Sequence, residues 1–434
     1  MTRNSTAFFI ILFCFAIACT NESGVPVSKP ATFVHYYNGG NADQAQTLLE
    51  TGDKGFMILA NTTKADGSSR VKLIKTDAFG NQLSVHFFPN FDVEGVADSV
   101  SFNGYGIVAI KDNSATETGY VIVGEKINLL TAKTSLMTLT VDLNGAQTGT
   151  THIASLPVEV RGLSITQASN STGNYFVLGQ IVNPSTSDDI FLAELDKTTL
   201  APAWTRTYGY KDQASNVGRS ALNKRLFLDD PESHVLFGSS LSFNADPEQV
   251  GFTKFPFNSA SPVYALPFGG FGVPGDYNLT CNDICQYFGF QYGVVGSTAL
   301  AGSGTDYDSI FYMVLNDNQV GKGNPVLHKS FALPFKATQA IAPGNSIAAT
   351  NDGGFLLLGT VADATESDYN YYLIKTDLNG GVKWTRQQGS RFKDIGAFVT
   401  QASDGGYIVL GTTWLANNVP SIFLMKTDQD GNVQ

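Results

Sequence analysis

Histidine is the side chain that most often supplies metal ligands and proton-transfer groups near neutral pH, and the chain has five. No two of them have the His-x-x-His or His-Glu-x-x-His spacing that directs two ligands to one metal ion. The pattern therefore predicts no metal site. We expect each histidine to be a strand residue: His35, His86, His152, His234 and His328.

Two other motifs, one for dinucleotide binding and one for nucleophilic catalysis, also predict no site. Gly270 to Gly275 matches Gly-x-Gly-x-x-Gly, but that motif binds a dinucleotide only between a strand and a helix, and Pro274 disfavours the helix. No Gly-x-Ser-x-Gly nucleophile elbow occurs. We expect no cofactor, and the catalytic residues of any enzyme stay unknown.

The N-terminus has the pattern of an export signal. A charge-free run from Ala7 to Ala18 follows Arg3 and is too short to span a bilayer. Small residues before Cys19 resemble the lipobox of bacterial lipoproteins. This predicts a lipoprotein signal peptide over 1–18, lipidation of Cys19, a polar tether over 19–30, and anchoring to the bacterial outer membrane or cell surface. The alternative is an ordinary secretory signal with an incidental cysteine.

The other candidate cysteines are Cys281 and Cys285. An exported chain experiences oxidising conditions, so we expect a disulfide between them. In an extended strand the two residues would lie roughly 13 Å apart, too far for a disulfide. The prediction therefore requires a turn or short helical bend at Cys281 to Cys285.

Composition limits the partners. The formal net charge is −11, and no stretch of the 434 residues gathers Lys and Arg into a basic patch. Nucleic acid is not expected, and membrane contact is expected only through the lipid anchor. With 43 % hydrophobic and 15 % charged residues and 44 glycines, the chain is typical of a loop-rich globular protein. We expect a monomer.

A repeat of about 58 residues runs through the chain. Its clearest copies are Asp352-Gly-Gly-Phe-Leu-Leu-Leu-Gly359 and Asp404-Gly-Gly-Tyr-Ile-Val-Leu-Gly411, and weaker ones end at Gly124, Gly238 and Gly296. Seven copies are present. Because each contains several short apolar segments and turn residues, the period predicts one propeller blade per copy.

Within a copy, the second apolar segment leads into a tight turn such as Asp377-Leu-Asn-Gly380, and a third carries an aromatic residue such as Trp384. The fold class expected is all-β: a seven-bladed β-propeller of four-stranded antiparallel blades, forming a single domain over 31–434. The last copy lacks its fourth strand, and residues 33–45 resemble that strand. We therefore expect the ring to be closed by the N-terminal strand, paired with Ile422 to Asp428.

These repeats resemble those of exported bacterial propellers with units reading Gly-Gly-x-x-x-Asp, then Asp-Gly-Gly-Tyr-Ile-x-x-Gly, then Lys-Thr-Asp-x-x-Gly-x-x-x-Trp. The match extends over nearly all of 33–434 and is best in copies 1, 3, 6 and 7. The resemblance implies a propeller fold and export. It supplies no catalytic residues.

We label the four strands of each blade a to d. The copies differ most in the loops that join strand b to strand c. These loops form the b–c face, and we predict that it binds ligands in blades 5 to 7. Exposed aromatic rings could stack on sugar rings or anchor a protein there. The candidate ligand-binding residues are Trp414, Tyr369, Tyr371, Tyr307, Arg391 and Phe392.

Two functions from different classes fit these features. The first is a non-catalytic cell-envelope lipoprotein that binds a carbohydrate or an envelope protein through its b–c face. The alternative is a glycoside hydrolase or lyase acting on polysaccharide, with carboxylates from different blades meeting in the central channel. A third hypothesis, a spacer in an envelope complex, stays open.

Overall fold

The computed structural model describes residues 31–88, 99–112, 114–149, 151–168, 173–182, 190–208, 219–228, 234–242, 249–256, 277–287, 291–300, 307–316, 326–337, 344–362, 369–415 and 418–433. Their regular structure is entirely β-strand, so the predicted all-β class is confirmed. No helix in these ranges is long and apolar enough to cross a bilayer. Cys19 and the boundaries predicted for the signal peptide and tether lie outside them.

The described strands form seven antiparallel sheets, which we number along the chain. The first strand, β1 (Phe33–Tyr37), precedes them. Sheet 1 contains β2 (Ala42–Glu50), β3 (Phe56–Thr63), β4 (Ser69–Thr76) and β5 (Gln82–Phe88). Sheet 2 contains β6 (Val100–Lys111), β7 (Glu117–Asn128), β8 (Thr134–Val141) and β9 (His152–Ile153). Sheet 3 contains β10 (Val160–Gln167), β11 (Tyr175–Ile181), β12 (Ile190–Leu195) and β13 (Pro202–Tyr208).

Sheet 4 contains β14 (Arg219–Leu228), β15 (His234–Ser242) and β16 (Gln249–Pro256). Sheet 5 contains β17 (Tyr277–Leu279), β18 (Asp283–Gln286), β19 (Gln291–Leu300), β20 (Tyr307–Asn316) and β21 (Leu327–Ala337). Sheet 6 contains β22 (Gly344–Ala349), β23 (Phe355–Ala362), β24 (Tyr369–Thr376) and β25 (Val382–Gln388). Sheet 7 contains β26 (Asp394–Gln401), β27 (Tyr407–Trp414), β28 (Pro420–Thr427) and β1, which pairs with β28.

Two sheets depart from the predicted four strands. Sheet 4 has three in the described part of the chain, and in sheet 5 the short strands β17 and β18 both pair with β19. Because β17 and β18 face successive parts of β19, they act as one inner strand interrupted between Leu279 and Asp283.

The core lies between neighbouring sheets. Strands β4 and β23 are buried along their whole length, because each sheet is covered on both sides. One cluster joins Phe56 and Ile58 of sheet 1 to Ile408 and Leu410 of sheet 7. Fully burying a side chain of this size contributes about 1.5–3 kcal/mol. Sheets 1 and 7, from opposite ends of the sequence, therefore share one core.

The repeat's glycine has a geometric role at the inner strands. Opposite Gly411 the pairing of β26 shifts between Gly396 and Phe398, and opposite Gly359 that of β22 shifts between Gly344 and Ser346. A Cβ at Gly411 would lie 2.4 Å from the Ile395 carbonyl oxygen, so only glycine fits. Such bulges bend a strand and redirect its side chains.

The sheets follow one another around their first strands. β2 contacts β6, and the contacts continue through β10, β14, β18 and β22 to β26, which also contacts β2. This succession of meander sheets about shared inner strands is the architecture of a β-propeller. Opposite the b–c face lie the hairpins that join the first strand to the second and the third to the fourth.

Candidate ligand-binding face

Four of the predicted ligand-binding residues meet on the b–c face of sheets 6 and 7. Trp414 ends β27 and Tyr369 begins β24, so both stand at b–c loops. Arg391 and Phe392 lie in the connection from β25 to β26, which returns to the same face. The backbone N–H of Trp414 donates to the Lys393 carbonyl oxygen at 2.9 Å, which joins the loop to the connection.

Lys393 is the centre of this group, and sequence reasoning missed it. Its Nζ lies 4.8 Å from the ring centroid of Trp414 and 5.5 Å from that of Tyr369. Both distances allow cation–π attraction. Beside it, the guanidinium of Arg391 lies 5.0 Å from the Phe392 ring. We call Tyr369, Arg391, Phe392, Lys393 and Trp414 the aromatic–cation patch.

The two cations of the patch are Arg391 and Lys393. In the ranges that the structure covers, neither Arg391 nor Lys393 forms an ion pair. Aromatic rings and two cations without an ion pair to a described residue therefore share one surface of a chain with a net charge of −11.

Asp394, directly below the patch, holds its connection in place. Its carboxylate is 2 % exposed and accepts the backbone N–H of Ser390 at 2.5 Å. Burial raises the pKa of this carboxyl, while hydrogen bonds from Thr413 and Ser390 partly oppose the rise. The carboxylate thus links Ser390 of the connection to Thr413 of β27.

Tyr371 was predicted to bind ligand, and this is wrong. Its ring is buried between sheets 6 and 7 and stacks on Phe423, with 4.7 Å between centroids. Burial is also the main reason that its pKa is raised. The prediction failed because the side chain faces the neighbouring sheet. The backbone of Tyr307 begins β20 on the predicted face, but its side chain lies outside the described part.

The predicted disulfide is also wrong. No bond joins Cys281 and Cys285, and both side chains are buried. The expected turn does not form: Asn282 donates its N–H to the Val295 carbonyl oxygen, and Cys285 lies in β18 opposite Gly293. The chain between the cysteines runs along β19, which keeps them too far apart for a disulfide. Burial raises the pKa of the Cys285 thiol to about 12.

The acidic residues of the repeat have structural roles at the opposite face. The hairpin carboxylates Asp53, Asp352 and Asp404 each accept from a lysine of the third strand, at 2.6–2.8 Å. These lysines are Lys75, Lys375 and Lys426. The pairs account for the recurrence of Asp-Gly-Gly and Lys-Thr-Asp in the sequence.

The hairpin face also contains a cavity of about 750 Å³ among sheets 1, 2 and 3. Its polar residues tie the sheets together: Glu117 accepts the Gly52 N–H at 3.0 Å and Gln167 accepts the Lys111 N–H at 3.2 Å. These groups are used in packing between hairpins.

The central channel contains a cavity of about 360 Å³, and Arg225 lines one side of it. Arg225 donates to Asp283 at 3.0 Å and to the Ser346 hydroxyl at 3.1 Å, and its guanidinium stacks 4.4 Å from the Phe398 ring. Ser346 donates to Asp283 at 2.6 Å. This network connects sheets 4, 5, 6 and 7.

No acidic residue is among the described residues that line this cavity. A glycoside hydrolase needs two carboxyl groups about 5–9.5 Å apart. The described residues that line this cavity include no such pair.

A second polar group lies on the b–c face between sheets 2 and 3, and it was also missed. The Glu125 carboxylate is 1 % exposed and accepts from Tyr105, Asn103 and Arg161. Glu125 follows the repeat's Gly124. The sequence does carry a signal there, because the residue at the position of Glu125 is uncharged in the other copies, where it follows the repeat's glycine or, in the first copy, Ala60: Asn61, Gln180, Ser239, Ser297, Thr360 and Thr412.

Comparisons with known proteins add little to this description. No family model matches the chain, and neither does any curated protein sequence. An α-L-arabinanase from Penicillium chrysogenum, solved with arabinobiose, is 9 % identical with a TM-score of 0.47, over 92 % of this chain and 98 % of that one. The WD40 domain of SCAP from fission yeast is 7 % identical with a TM-score of 0.41, over the same shares of the two chains.

Proposed function

We propose that the seven sheets are the blades of one seven-bladed propeller, closed by the N-terminal strand. Three contacts between sheets 7 and 1 support this. Tyr37 of β1 donates to the Gly80 carbonyl oxygen at 2.6 Å, and Thr412 accepts the Ala45 N–H at 3.0 Å. Glu50 accepts the Ser403 N–H at 2.8 Å. Pairing with β1 covers the edge of β28 that sheet 7 would otherwise expose.

We propose further that the propeller is exported and held on the outer membrane or cell surface by a lipid on Cys19. The support is the lipobox-like sequence and the polar segment that follows it. Labelling cells with a fatty-acid analogue should mark the wild-type chain and leave Cys19→Ala unlabelled. Label on both variants would contradict this anchor.

On this scaffold we propose a non-catalytic function: binding of a carbohydrate of the cell envelope through the b–c face. The observation that carries the proposal is Lys393, whose ammonium lies within 5.5 Å of the ring centroids of both Trp414 and Tyr369 and so brings the two rings together on this face. Indole and phenol rings provide apolar faces with polar edges, which suit the mixed surface of a sugar. A protein partner is the other outcome that the test can reveal.

The test is a glycan array probed with the purified protein. We expect saccharide binding that falls at least tenfold in Trp414→Ala, about 1.4 kcal/mol, with an unchanged melting curve. Leu378→Ala, an exposed position on a hairpin of the opposite face, is the matched control and should bind normally. Binding that survives Trp414→Ala and fails in the control would contradict the proposal. A blank array with specific capture of an envelope protein would replace the carbohydrate by a protein partner.

A further inference from the structure

The cluster around Glu125 contains an arginine in an unusual position. Arg161 lies next to the first residue of β10, on the b–c face and opposite Gln180 of β11. Its Nε donates to Glu125 Oε2 at 2.9 Å, and its guanidinium lies 5.6 Å from the Tyr105 ring centroid. The guanidinium is therefore held at one edge and close to an aromatic ring.

The carboxylate that holds it is itself fixed. Glu125 Oε1 accepts from the Tyr105 hydroxyl at 2.5 Å and from Asn103 Nδ2 at 3.1 Å. Burial, and next the charge of Glu125, raise the pKa of Tyr105, so this hydroxyl stays protonated and donates. Three donors on a buried carboxylate leave Glu125, and the Arg161 side chain bonded to it, little freedom to move.

The outer part of the Arg161 side chain is partly exposed to solvent. Its side chain is 37 % exposed, and nothing in the described ranges bonds to its two terminal amino groups. Two parallel N–H groups on a rigid guanidinium match the two oxygens of a carboxylate, and such bidentate pairs are among the strongest hydrogen bonds. Because the side chain is already ordered, binding costs little conformational entropy.

We propose that Arg161 is a binding group for the anionic oxygens of an acidic saccharide, with a uronate carboxylate as the expected group. The inference rests on the proposed function, since it names the class of saccharide that the b–c face takes. The positive charges of Arg391 and Lys393 on the same face would also attract an anion.

The first test changes the ligand and leaves the protein intact. Oligogalacturonate and its methyl ester have the same sugar rings, but the ester lacks the charge. We expect the wild-type protein to bind the acid at least tenfold more tightly in titration calorimetry. A sulfated oligosaccharide that binds as well as the acid would support recognition of anionic oxygens in general. Equal affinity for acid and ester would overturn the inference.

The second test changes the arginine. Arg161→Lys keeps the positive charge and can still pair with Glu125, but it lacks the planar fork, so we expect the preference for the acid to fall at least tenfold. Arg386→Lys is the matched control, because Arg386 lies on an outer strand over Trp384. Melting curves of both variants check the fold. A preference that persists in Arg161→Lys would overturn the inference.

The two proposals fail in different ways. If acid and ester bind equally and both depend on Trp414, the face binds carbohydrate but Arg161 does not select for acid. If the preference for acid depends on Arg161 while Trp414→Ala has no effect, the role of the aromatic–cation patch is contradicted and the role of Arg161 stands.

Discussion

Sheets 1 and 7 each bury an aspartate at the same position of the repeat, but the cations near the two aspartates lie in different places. Asp43 and Asp394 occupy equivalent positions, each two residues before the residue that pairs with Ala60 or Gly411. In sheet 1 a buried lysine neutralises the aspartate: Lys72 Nζ lies 2.6 Å from the Asp43 carboxylate, and both side chains are buried. In sheet 7 the residue corresponding to Lys72 is Phe423.

The segments that precede the two aspartates also differ in sequence, in a way that fits these different charge placements. Residues 39–42 read Gly-Gly-Asn-Ala, and a Cβ at Gly39 would lie 3.1 Å from Lys72 Nζ. The corresponding residues 390–393 read Ser-Arg-Phe-Lys. Because Phe423 replaces the buried lysine, Asp394 instead accepts the backbone N–H of Ser390, and the cations Arg391 and Lys393 lie on the b–c face. The same repeat therefore provides an internal ion pair at one site and a charged aromatic surface at another.

The largest effect should come from removing the strand that sheet 7 takes from the other end of the chain. Deleting residues 31–40 removes β1, its five paired residues and the buried Tyr37. We expect the melting temperature to fall by on the order of 10 °C, because several kcal/mol of burial and strand pairing are lost. Deleting 20–29, in the expected tether, is the control. An unchanged melting curve for the first deletion would reject closure by this strand.

The next largest effect should appear when a lysine is replaced by methionine at the buried position Lys72 and, for comparison, at Lys393 on the b–c face. Lys72→Met leaves Asp43 buried without its cation and should cost about 3–5 kcal/mol in urea unfolding. Lys393→Met removes a charge that forms no ion pair with a described residue and lies near two rings, and it should cost no more than about 1 kcal/mol. The double variant Lys72→Met/Asp43→Leu should recover most of the loss. Equal effects of the two single changes would remove the proposed distinction between sheets 1 and 7.

The sequence predicted the elements that repeat. The Asp-x-x-Gly turns form as expected: Asp377 accepts the N–H groups of Asn379 and Gly381, and Gly380 has φ +77°. Such turns are local, since the side chain bonds within four residues of itself. A constant spacing of local features was therefore enough to predict the all-β class and the antiparallel pairing of consecutive strands, but not the three strands of sheet 4 or the interrupted inner strand of sheet 5.

Features that differ between repeats were harder to predict. Tyr371 was predicted to be exposed because it follows a variable loop, but its ring packs on Phe423 of the neighbouring sheet, which the local sequence does not indicate. Arg161 and Glu125 are 36 residues apart and meet only when sheets 2 and 3 pack. Lys393 gave no signal, because an exposed lysine in a connection is common. Contacts between sheets, unlike turns, cannot be read from one repeat.

The smallest effect should appear in the pH dependence of stability. Burial raises the pKa of Asp394, so the folded chain binds this proton more tightly than the unfolded chain, and wild type should gain stability relative to Asp394→Asn as the pH falls from 7 towards 4. At Asp53 burial is opposed by hydrogen bonds from Lys75 and Thr51, which lower the pKa to about 2. There the sign reverses: wild type should lose stability relative to Asp53→Asn between about pH 4 and 2. Melting temperatures across this range measure both differences. Parallel curves for wild type and Asp394→Asn would show that this carboxyl is not shifted.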